Sequence, residues 1–254
     1  MLLRVALLLA LALGTPTFVP SASAQQLPPA KPLPSDVDLD TLVTTKNWDE
    51  LSSSLAPAHQ GDDFFRKLRW LREQVYAGGG LLLTLAYVRS LWTLSGVAKE
   101  TESAVLRQDT MLMTLYAFEL VLIDGSKCED PSAPGRHIDQ LRARLGTVLE
   151  FTRRQPSAVR LDIVARAIAL EGQTAPIRDD DEMICRGGLA ELQAALERGQ
   201  QRPGQLGMLG KSTTVTPPPD WTPKFVTPDI YRPMQAKARS GMRENLIKFI
   251  SPPS

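Results

Sequence analysis

LLLTLAYVRSLWTLSGVA, residues 81–98, is followed by a polar turn near Lys99 and, after the more polar stretch 100–110, by MLMTLYAFELVLI, residues 111–123; this pair of segments decides the fold. Each is interrupted by one charge, Arg89 in the first and Glu119 in the second. A helix that is apolar on nearly every side is buried, either in a bundle or in a membrane. The first segment is short for a bilayer span, and an arginine at its centre costs roughly 2.5–3.5 kcal/mol on insertion scales. The bundle is therefore preferred over a transmembrane hairpin. The spacing predicts helices over 81–98 and 102–123, packed antiparallel because the connection is short. Arg89 then falls level with Asp109 and is expected to pair with it. Glu119 lies well beyond that level along the helix and is expected to find a different partner.

Upstream, Asn47 or Asp49 can cap a short helix running to Leu55 and ended by Pro57. The stretch FFRKLRWLREQVYA after Asp62 places Phe64, Phe65, Leu68, Leu71 and Val75 on an expected buried stripe, before Gly78-Gly79-Gly80 breaks the helix. Downstream of Asp124-Gly125, helices are expected over 136–154, from Pro156 to about Glu171, and over LAELQAALERG as a last core helix to Arg198. No repeat of fixed period is visible, so an irregular all-α bundle of about six to seven helices is preferred to a solenoid.

At the start of the chain, Arg4, an apolar run over Val5–Leu13 and Ala22-Ser23-Ala24 have the order of a secretory signal, with Gln25 as the expected mature N-terminus. Residues 25–40 follow as a Pro-rich leader, 41–199 as the helical domain, 200–233 as a Pro-rich extended strap, and 234–254 as a C-terminal amphipathic helix. The whole chain has 29 Lys plus Arg against 28 Asp plus Glu. Loss of Arg4 with the signal leaves the two signs balanced, which argues against nucleic acid as a partner. In an exported chain the two cysteines, Cys128 and Cys185, are expected to form a disulfide worth roughly 4 kcal/mol in the chain-entropy picture. They lie in IDGSKCEDPSAP (123–134) and TAPIRDDDEMIC (174–185), stretches that look like motifs of small exported proteins without implying a mechanism.

No familiar catalytic, metal or cofactor pattern assembles. The acidic run Asp179–Glu182 lacks the alternating spacing and distal glutamate of a calcium loop and reads as a solvated turn. His59 and His137 sit beside loop residues and read as surface histidines. There is no G-x-S-x-G, and the glycines at 78–80 lack the lysine and hydroxyl of a phosphate loop.

Three readings of function remain. The first is a non-enzymatic exported binding or scaffolding protein that contacts a partner through its C-terminal arm. That arm offers Trp221, Phe225 and Tyr231 from the strap, and Lys237, Arg239, Met242, Arg243, Leu246, Lys248 and Phe249 from the helix. The same helix folding back onto its own bundle is the structural alternative. The second is an enzyme with a site around Arg89, Asp109 and Glu119. The third is a peripheral membrane protein that uses the basic helix on an anionic surface.

Overall fold

The computed structural model describes residues 38–55, 61–207 and 210–251. The stretch expected to be a signal sequence, most of the expected Pro-rich leader and His59 lie outside them. The elements run α1 (Leu39–Thr44), α2 (Trp48–Ser54), α3 (Asp62–Tyr76), α4 (Leu81–Ser95), α5 (Glu100–Asp124), α6 (Ser132–Arg144), α7 (Gly146–Arg153) and α8 (Ser157–Thr174). After them come α9 (Glu182–Cys185), α10 (Leu189–Arg198), β1 (Gln200–Gly207), β2 (Gly210–Thr216) and α11 (Pro228–Ile250). This is an all-α bundle with one small β-hairpin.

The apolar pair quoted above forms its centre. Helix α5 is buried at every position from Thr110 to Val121, because α4, α6, α7, α8 and α11 pack around it. Its partner α4 runs antiparallel across the turn at residues 96–99, where Ser103 Oγ donates to the Ser95 carbonyl at 2.7 Å. On α3, Phe64, Leu71 and Val75 are buried at positions seven and eleven residues apart. Phe65 does not join them: one residue on is about 100° around the helix, and the ring is 54% exposed, edge-on to Phe64.

Four details differ from the sequence reading. The helix expected over 136–154 is two, broken at Leu145, whose backbone leaves the helical region just before Gly146. Gly125, where a helix-ending glycine would be expected to turn left-handed, keeps helical dihedrals as α5 tightens into a 3-10 turn, so its lack of a side chain serves close packing: an added Cβ would stand 2.7 Å from Cβ of Pro134. Helix α10 is not a core helix; only Ala195 is buried. The strap is extended as expected over its first half but is paired there, β1 against β2, with Gln200 opposite Thr216 and Gly207 opposite Gly210. Thr213, Thr214, Val215 and Thr216 favour a pleated backbone. The one proline within the hairpin, Pro203, lies where the register shifts, a position at which its missing N–H is tolerated.

Cys128 and Cys185 form a disulfide, their Cα atoms 5.2 Å apart, which ties the end of α5 to α9. The second half of the strap is pinned at the same place. Glu129 N donates to the Lys224 carbonyl at 3.0 Å and Val226 N to the Lys127 carbonyl at 2.8 Å. From there α11 starts at Pro228, six residues earlier than expected, with Thr227 as its N-cap and proline in its first turn. It lies along α5 and α8, with Met242, Leu246 and Ile250 buried.

Candidate functional site

Arg89 and Asp109, expected to pair, do not. Arg89 is exposed on α4. Asp109 pairs instead with Arg166 of α8, at 3.5 Å. Matching levels across an antiparallel hairpin fixes height along the axis but not rotation about it. The buried face of α4 runs through Leu81, Thr84, Val88, Leu91 and Ser95, and Arg89 projects off it. Burial raises the Asp109 carboxyl above its usual range, with Arg166 opposing.

Glu119 is fully buried in α5, and neither carboxylate oxygen has a hydrogen-bond partner. It does not find the partner expected of it. Burial, with the negative charge of Glu171 adding to it, pushes the carboxyl up to about 8. It is therefore a neutral acid at neutral pH, since an unpaired charge in that position is expensive.

The charges that do assemble come from elsewhere. Arg178, in the loop before α9, has a side chain only 3% exposed. Its Nε donates to Asp124 Oδ2 at 2.7 Å, its Nη2 to Glu171 Oε1 at 2.7 Å, and its Nη1 to Thr174 Oγ1 at 2.8 Å. Thr174 Oγ1 also shares a hydrogen bond with the Tyr116 hydroxyl, 2.8 Å away. Helix α11 closes the cluster: Arg239 Nη2 reaches Glu171 Oε1 at 2.9 Å and Gln235 Nε2 donates to Asp124 Oδ1 at 3.1 Å. Burial works against the Glu171 carboxylate, but hydrogen bonds from Arg239 and Arg178 outweigh it and hold its pKa below the ordinary value. Two cations face two carboxylates, so the cluster is neutral and its donors are satisfied. Such a network fixes the register of α5, α8 and α11.

Beside it lies a cavity of about 280 Å³ between the α1–α2 junction, Gly78–Gly80 and the 177–183 loop. Most of its charged walls are already occupied. Lys46 is paired with Glu182, and Arg178 is engaged as described. Asp181 is not the solvated residue that its acidic run suggested: Oδ2 accepts from Leu81 N at 2.6 Å and Oδ1 from Met183 N at 2.9 Å. One carboxylate thus caps α4 and α9 together. An added Cβ at Gly80 would collide with it, and Gly78 takes a left-handed φ of 90° with the Ile177 carbonyl against it. The glycine triplet is a tight packing element rather than a loose turn. His137 is half-buried, not a surface residue. Its Nε2 lies 3.0 Å from the Arg186 carbonyl, and burial lowers its pKa. Among the described residues no group of three or more His, Cys, Asp or Glu is placed to hold a metal ion, and no helix is long and apolar enough to cross a membrane.

The C-terminal arm spends its apolar contacts on its own bundle. Phe249 stacks on Phe118 with centroids 4.2 Å apart, and Phe225 pairs by backbone with Cys128. Lys127 lies over the ring of Tyr231 and Arg186 over that of Trp221. Met242 and Leu246 are buried, and Arg239 is in the ionic cluster. Of the expected contact residues on the helix, Lys237, Arg239, Arg243 and Lys248 are exposed, and Arg239 reaches from there into the ionic cluster.

Among the described residues, an apolar stripe without a partner lies on α10. Leu189, Leu192 and Leu196 are 68%, 40% and 55% exposed, and their spacing of three and four residues puts them on one face. The hairpin packs chiefly against α10, and in a sheet of two strands both outer edges are unpaired. A depression of about 660 Å³ between Leu189, Gln193 and Trp221 adjoins the stripe. Sequence reading missed this surface because three leucines at helical spacing are the signal of a core helix.

No family model, curated protein or solved structure matches the chain.

Proposed function

We propose that the chain is an exported, non-enzymatic binding protein whose contact surface is α10 with the hairpin that follows it, and whose partner is a protein presenting an apolar helical face. The exposed leucine stripe carries this reading. Three large apolar side chains in line on one short helix are an anchor pattern for helix-to-helix recognition. The open hairpin edges and the depression beside Trp221 extend the same surface. Export is supported by the signal-like leader and by a disulfide, which persists in oxidising compartments. The bundle behind it acts as a rigid mount, stapled by Cys128–Cys185 and by the Arg178 cluster.

The test is affinity capture from the native source with wild type and with the double variant Leu189→Ser/Leu196→Ser, both checked for unchanged circular dichroism. The reading expects a partner that is retained by wild type and lost by the variant. A partner held equally by both proteins places the contact elsewhere and overturns it.

A further inference from the structure

A second surface has the chemistry of a small-molecule site. Between α2, α4 and the α6–α7 junction lies a groove of about 600 Å³, within the range of roughly 300–1,000 Å³ typical of ligand pockets. Its bed is apolar: Leu82, Leu85, Trp92 and Leu145 line it and are each only half-buried. The Trp92 ring packs edge-to-face with Phe151, centroids 5.8 Å apart, which fixes one wall.

The charge on this groove is one-sided. Arg89 and Arg144 both line it, both are exposed, and neither makes an ion pair or side-chain hydrogen bond among the described residues. Among the described residues no aspartate or glutamate lines it. Elsewhere in the bundle, arginines near carboxylates are paired: Arg178 with Asp124 and Glu171, Arg166 with Asp109, Arg154 with Glu150. Two free guanidinium groups beside an apolar trough match a ligand with an apolar chain and an anionic head. A guanidinium presents paired donors that suit a carboxylate in particular. A bounded groove of this size suits one chain rather than a bilayer surface.

We infer that this groove binds a single long-chain fatty acid, its chain along Leu82, Leu85, Trp92 and Leu145 and its carboxylate between Arg89 and Arg144. The site is separate from α10 and stands or falls independently of the partner reading.

The experiment is equilibrium binding of radiolabelled oleate, with oleyl alcohol as the uncharged chain of equal length and with phosphatidylglycerol vesicles in a third arm. Wild type, Arg89→Gln/Arg144→Gln and Leu85→Trp are compared, each verified as folded by its thermal transition. Expected are saturable binding of one oleate per chain, at least tenfold tighter than the alcohol, and a tenfold or greater loss in the double glutamine variant with alcohol binding unchanged. Filling the trough in Leu85→Trp should weaken both ligands. The inference is overturned by absence of saturable oleate binding, by equal binding to the double glutamine variant, or by arginine-dependent binding to vesicles without binding of free oleate.

Discussion

Replacing Glu119 with glutamine should stabilise the protein at neutral pH and remove a specific part of its pH dependence. In the fold the carboxyl is held protonated up to about 8, against an ordinary value of 4.5, by burial first and by the Glu171 charge second. The unfolded chain ionises at the ordinary value. Stability from this group is therefore fully present below about pH 4.5, declines as pH rises, and levels off above about 8. At about 1.36 kcal/mol per unit, the penalty is roughly 1 kcal/mol at pH 5 and roughly 3 kcal/mol at pH 7. Glutamine has nearly the same shape and no proton to lose. Its amide lacks partners as the acid does, and that cost does not change with pH. The advantage of Glu119→Gln over wild type should then grow by about 2 kcal/mol between pH 5 and pH 7. Urea denaturation of both proteins at pH 5, 6, 7 and 8 measures it. Asp109, Glu171, Asp181 and His137 also shift on folding, but they are common to both proteins and cancel in the difference. A difference that stays constant across this range, or one that shrinks as pH rises, would refute a buried neutral acid at this position.

Other expectations concern the scaffold. Arg178→Met should cost about 3–5 kcal/mol in chemical denaturation, since it strands the buried carboxylates of Asp124 and Glu171; a loss below about 1 kcal/mol would contradict a shared network. Reducing the disulfide, or Cys128→Ser/Cys185→Ser, should lower stability by about 4 kcal/mol, read as a fall in thermal midpoint in the same buffer. Leu246→Ala should cost about 2–5 kcal/mol, because α11 is part of the core. Leu189→Ser, at an exposed site, should stay within about 0.5 kcal/mol of wild type, and a large loss there would mean that the α10 stripe is covered.

The parts of this fold legible in the sequence are those where one face, or the whole circumference, of a helix is marked by residue type. The α4–α5 hairpin could be read because two apolar runs joined by a short turn have few ways to pack, and the disulfide because only two cysteines are present. What could not be read depends on contacts between distant loops. Nothing periodic marks Arg178, which lies in an acidic stretch and becomes central only when α8, α5 and α11 bring Glu171, Asp124 and Arg239 around it. The facing of Arg89 turned on helix rotation, which its distance from the turn does not encode. The hairpin was hidden by counting prolines over 200–233, when the β-branched run Thr213–Thr216 contained the signal. For α10 the pattern was right and its inference wrong: a leucine stripe specifies an interface, and here no segment among the described residues supplies the other side.

The most direct test of the binding account is photo-cross-linking in the native compartment, with a photoreactive residue at Leu192 in one protein and at Arg243 in another. Leu192 lies on the α10 stripe, and Arg243 on the exposed face of the docked C-terminal helix. The account predicts a discrete cross-linked protein from position 192 and none from position 243. A discrete adduct from 243 alone would contradict it and return the contact to the C-terminal arm.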